Sequence, residues 1–193
     1  MDRIVENSLD TDLVRSRFRA VLDGGVAYSQ AHSQLSLDEM LKREVDPDGG
    51  GPTAIRTLFD YWQGLRGATP PLAAAFDPKG SFTPEQFRWI SWVDVRAADP
   101  MNFIFRHHPG YLFGDWSGKS LREYPNPIHA HSLALEYLTS KMIGQPSYYE
   151  ISQAIGPVRR TYMRLLLPVS DRRQSISRLY YATRYVSIEP GAA

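Results

Sequence analysis

The chain contains no cysteine, so a disulfide framework, a thiolate metal site, a cysteine nucleophile and thiol-based redox sensing are all excluded. It also lacks any run of about 18 apolar residues, and its first residues, MDRIVENSLDTDLVR, have no basic head followed by an apolar stretch. The expectation is a protein without a membrane-spanning helix or signal peptide, working in the cytoplasm. Excess charge of one sign is missing too: 22 basic residues meet 21 acidic ones.

Recognisable catalytic signatures are equally scarce. In Gly114-Asp115-Trp116-Ser117-Gly118 the serine stands one place too late for a nucleophile elbow, and no strand leads into it. Gly49-Gly50-Gly51-Pro52-Thr53 opens a helix but lacks the lysine of a phosphate-binding loop. Paired carboxylates are wanting on the interior strands, which carry only Asp94 and Glu150. The chain therefore reads as a binding protein and not as an enzyme.

What is present suffices for one core and a flanking segment: 193 residues, 42% of them hydrophobic. Charge is unevenly spread, with eleven acids against seven bases in residues 1–60 and seven arginines against Asp171 alone in residues 157–187. An arginine-rich strand on a sheet or at a protein interface gives that count as readily as a nucleic-acid site does, so the count does not argue for nucleic acid.

Residues 1–52 read as a helical extension. Val14, Phe18, Val21 and Leu22 follow helical spacing up to Gly24-Gly25, a second short helix is expected after Ser36, and DPDGGGP at 46–52 is the best linker in the chain. A stronger helix follows over 53–67, with Ile55, Leu58, Phe59, Trp62 and Leu65 at three- and four-residue intervals. The proline-rich stretch after it is a loop with at most one helical turn near Pro84. Short β-rich runs are predicted at 89–96 and 102–108, then a helix over 128–143 closed by Gly144, then strands at 147–155, 158–169 and 176–186. Residues 188–193 are left as a tail. The order predicts an α+β fold, a five-stranded antiparallel sheet covered on one face by helices, with a pocket between them.

That layout resembles the PAS fold, and its details resemble a family of single-domain PAS-like proteins of alphaproteobacteria. The resemblance rests on LFDYWQGLRG at 58–67, WVDV at 92–95, DPMNFIFR at 99–106, GDWSGKSLRE at 114–123 and YMRLLLPVSD at 162–171, and covers residues 53–187. It implies signal perception or protein–protein contact, usually as a homodimer. With no output segment in the chain, a signal would pass to another signalling protein.

Candidate ligand-contacting residues are His107, Trp116, His131, Leu135, Tyr149 and Met163. Strand alternation places His107 with Phe103 and Phe105, facing either a pocket ligand or a buried partner. Trp116 lies in the loop that covers the pocket in PAS-like folds, where it either gates a ligand or caps the core. His131 is in line with an apolar stripe of Ile128, Leu135, Leu138 and Met142. It matches the position of the axial histidine in haem-binding PAS sensors, or else simply bonds a carbonyl. The pairs His107-His108 and His129-x-His131 can each offer at most one ring to a shared point, which disfavours a metal site even with Glu136 nearby. The competing enzyme reading is a cone-shaped α+β isomerase or dehydratase using His107 with Asp94 on the neighbouring strand.

Overall fold

The computed structural model describes residues 28–34, 54–87, 90–108, 115–124, 126–155 and 158–190. The helices expected around 14–22 and after Ser36, and the linker at 46–52, lie outside these residues. Strand β1 is Tyr28–Gln34, helix α1 Ala54–Leu65, the single-turn helices α2 and α3 Pro78–Ser81 and Pro84–Phe87. Strands β2 (Ile90–Asp94) and β3 (Ile104–His107) precede helix α4 (Pro127–Ile143), followed by β4 (Ser147–Ile155), β5 (Val158–Ser170) and β6 (Ile176–Pro190). The fold is α+β. Its sheet is antiparallel and open, in the order β1-β4-β5-β6-β2-β3. Five of these strands were predicted. The sixth, β1, comes from the segment read as a helical extension and pairs with β4, Tyr28 opposite Ile155 and Gln34 opposite Tyr149. At the other end, β6 runs to Pro190, into the stretch read as a tail.

The expectation of helices on one face is corrected by the side-chain alternation of β5 and β6. Met163, Leu165, Leu167 and Val169 with Tyr180 and Ala182 pack under α1, whose Ile55, Leu58, Phe59 and Trp62 are buried against them. The intervening Leu166, with Leu179 and Tyr181, packs under α4 against Ala130, Leu133, Ala134 and Tyr137. Successive residues of a strand face opposite ways, so α1 and α4 cover opposite faces of one sheet. The reason was present in the run Leu165-Leu166-Leu167, which has no polar face to leave in water. Each large α1 side chain buried this way contributes about 1.5–3 kcal/mol. Trp62 also donates from Nε1 to the Pro168 carbonyl at 2.8 Å, tying α1 to β5.

Local chemistry sets the limits of α4. Asn126 accepts hydrogen bonds from the backbone N–H groups of Ile128 and His129, both at 3.0 Å, and Pro127 occupies the first helical position. Gly144 ends the helix in the left-handed conformation (φ +66°), its N–H donating to the Ser140 carbonyl. The helix is rotated from its predicted stripe. Its buried side consists of Ile128, His129, Ala130, Ser132, Leu133, Ala134, Glu136, Tyr137 and Ser140, while Leu135 and Leu138 are half-buried and Met142 is 53% exposed.

Candidate functional site

A β-bulge decides where the two adjacent histidines go. In the β2–β3 ladder Val93 pairs with Phe105 but its neighbour Trp92 pairs with His107, so Arg106 is an extra residue on β3. One inserted residue reverses the facing of everything after it. His107 therefore leaves the face of Phe103 and Phe105, contrary to the alternation argument, and stacks on Phe87 on the α1 side, centroids 4.6 Å apart and planes at 14°. Burial lowers its pKa, opposed by the Phe87 backbone and Asp115. His108 takes the place under α4, 5.0 Å from the Phe105 ring.

There His108 joins a polar layer between α4 and the sheet. Glu136 from α4 and Arg164 from β5 form an ion pair, Oε2 to Nη1 2.7 Å, with side chains only 4% and 7% exposed. Arg164 also donates to the Tyr162 hydroxyl at 3.3 Å and lies over the rings of Tyr162 and Tyr181, at 5.1 and 5.8 Å. Tyr137 and Ser91 both hydrogen-bond to Tyr181, whose hydroxyl lies 2.6 Å from His108 Nδ1. A neighbouring contact joins Gln153 Nε2 to His129 Nδ1, also at 2.6 Å.

Electrostatics follow from the burial. Removal from water pushes the His108 pKa down to about 4, helped by the nearby Arg164 charge, so its ring is neutral at pH 7. Burial raises the pKa of Glu136 against the pull of Arg164, and raises those of Tyr137 and Tyr181. Burial also works against the Arg164 guanidinium, but Glu136 and the tyrosines hold its proton in place.

Glu136 Oε1 and Arg164 Nε are buried and have no hydrogen-bond partner among the described residues. A buried acceptor and a buried donor left unmet each cost about 1–3 kcal/mol, a cost that an ordered water or another small polar group offering both functions would remove.

Of the candidate ligand-contacting residues named from sequence, Tyr149 adjoins this layer: it pairs across the ladder with Arg164, and burial followed by the Glu136 charge raises its pKa. Met163 is buried under α1, on the other face. Leu135 and His131 lie on the half-buried flank of α4, and His131 Nδ1 meets the Pro127 carbonyl at 2.6 Å. Trp116 is 7% exposed, packed 5.2 Å from the Tyr124 ring, with Lys119 Nζ 4.4 Å above it. Asp94 directs its carboxylate to Arg96 and Arg106, at 2.5 and 3.5 Å, while His107 stacks on Phe87. Among the described residues no group of three His, Asp or Glu side chains is arranged to hold a metal ion, and no helix is long and apolar enough to cross a membrane.

Sequence reasoning named Glu136 only as a carboxylate beside the histidine pairs and missed its pairing with Arg164, although a signal existed. Each is a lone charge inside an apolar run, LALEYL on α4 and YMRLLL on β5, and a charge there is stable only when paired. No family model, no curated protein and no solved structure matches this chain.

Proposed function

We propose that the chain is a PAS-type sensory module. It binds a small polar molecule in the layer between α4 and the sheet and passes the event to another signalling protein. The observation that carries this reading is the buried Glu136–Arg164 pair with Glu136 Oε1 and Arg164 Nε unmet. The open antiparallel sheet, crossed by α4 between its β3 and β4 strands, is compatible with the PAS-like layout and so supports the same reading.

The bound molecule would present one donor to Glu136 Oε1 and one acceptor to Arg164 Nε, with the tyrosines fixing its plane. Because Glu136 and Arg164 already neutralise one another, a neutral ligand is favoured over a charged one in this dry layer. Neighbours on β5 carry the consequence: Arg164 faces α4 while Met163 and Leu165 face α1. A shift of β5 beneath the ligand moves the support of α1, and α1 would report to a homodimer contact or a partner.

Native mass spectrometry of the protein purified from its own host, with an absorption spectrum of the same sample, tests this. The expected result is a colourless adduct retained by the wild type and lost from Glu136→Gln. An adduct retained equally by that variant, or a wild-type chain free of any adduct, overturns the reading. A Soret band would turn it toward haem and His131.

A further inference from the structure

A second site lies on the opposite face, away from the Glu136–Arg164 layer. Where the last turn of α1 meets the α4–β4 turn, a groove of about 420 Å³ is lined by Phe59, Gln63, Arg66, Gln145, Pro146 and Tyr148. We infer that this groove binds a small organic anion consisting of an aromatic ring and a carboxylate.

Three observations converge. The volume lies at the small end of the range used for small-molecule sites, about 300–1,000 Å³. One wall carries the edges of Phe59 and Tyr148, centroids 5.9 Å apart and planes at 60°, rings held in the core at 7% and 6% exposure, which gives the groove an apolar floor. The third is Arg66. Its Nη2 donates to Gln145 Oε1 at 2.7 Å and its guanidinium lies 5.2 Å from the Trp62 ring centre. Both contacts are to neutral groups, and among the described residues Arg66 has no carboxylate partner.

Those contacts hold the guanidinium in position without neutralising it. A planar fork held this way, with Nε and Nη1 still available, matches a carboxylate in both charge and shape. The amides of Gln63 and Gln145 add neutral hydrogen-bonding capacity at the rim. A ligand here would add a link between α1 and the first residues of β4, beside the Phe59–Tyr148 contact and the Arg66–Gln145 bond that follows α1. The inference is independent of what the α4 layer binds.

The test titrates the full chain with 2-naphthoate and, as the uncharged control, 2-naphthamide, followed by calorimetry and two-dimensional NMR. Naphthoate is expected to bind with shifts centred on Gln63, Arg66, Gln145 and Tyr148. Arg66→Gln is expected to weaken it about tenfold or more, the loss of one charge-assisted contact, and to leave naphthamide binding unchanged. Arg66 is a surface residue of α1's end, so unchanged circular dichroism is expected to accompany the loss. Equal binding of the two probes, indifference to Arg66→Gln, shifts centred on the α4 layer, or no binding at millimolar probe would each overturn the inference.

Discussion

Cutting the Glu136–Arg164 pair from one side should cost far more than removing it whole. Both side chains are over nine-tenths buried, so Arg164→Met leaves a carboxylate in the core with nothing to offset its desolvation. Breaking a buried pair in this way costs about 3–5 kcal/mol, whereas replacing both partners by apolar groups is often neutral or stabilising. For a chain of this size each kcal/mol moves Tm by about 2–4 °C, so Arg164→Met should lower Tm by roughly 6–20 °C. The double variant Glu136→Leu, Arg164→Met should recover most of that loss. The pH dependence gives a second readout. Burial raises the folded pKa of Glu136 above its ordinary 4.5, and Arg164 is what opposes the rise. Without Arg164 the folded value climbs further. A group with a raised folded pKa contributes stability that is present below its unfolded pKa and lost as pH rises through the folded one. The deficit of Arg164→Met relative to wild type should therefore shrink as pH falls toward 4.5. Urea unfolding at several pH values measures it. A single-variant cost below about 1 kcal/mol, the range of exposed pairs, or a double variant as unstable as the sum of the singles, would refute the reasoning.

Other outcomes follow from single positions. His108 has its folded pKa pushed down to about 4, so its contribution is present above the unfolded value of about 6.5 and lost as pH falls between the two; allowing for its partly exposed ring, His108→Gln should flatten the stability–pH curve there by about 2 kcal/mol, and an unchanged slope in denaturation at pH 4–7 would contradict this. Gly144→Ala meets nothing closer than 4.0 Å, from Ile176, but must hold φ +66°; the conformational cost alone should be about 1–2 kcal/mol, read as a lower urea midpoint at constant m-value. For Asp94, burial opposes ionisation, yet the hydrogen bonds and charge of Arg96, with Arg106, outweigh it and lower the pKa. Its partner Arg96 is 68% exposed, so Asp94→Asn should cost about 1 kcal/mol or less at pH 7. That difference should vanish as pH falls through the lowered folded pKa, since the contribution of such a group exists only above it.

Much of the architecture was legible in the residues. Helical spacing in α1, the Asn-Pro start and Gly stop of α4, and the β-rich runs of β4, β5 and β6 gave boundaries close to those observed, because capping and periodicity are local properties. Strand β1 was not, since Tyr28–Gln34, YSQAHSQ, has no apolar alternation and is held by backbone pairing to β4. Of the layer under α4, the residues alone had brought out His108, Glu136 and the adjoining Tyr149, without their connections. His107 was misplaced by a bulge that leaves no mark in the local sequence, and the layer that Met163 serves could not be read because both faces of β5 are buried.

By itself, then, the sequence determined, among the described residues, the two long helices and five of the six strands, and it excluded thiol chemistry outright, since both depend on residue identity and short-range spacing. Tertiary structure alone decided which face each side chain serves. Whether Arg164 points to solvent or into a dry layer depends on α4 laying Glu136 across β5, 28 residues away in the chain. Whether His107 or His108 enters that layer depends on one extra residue in a ladder. Desolvation, pairing and the two open atoms of the site all arise from those contacts between segments that no local pattern encodes.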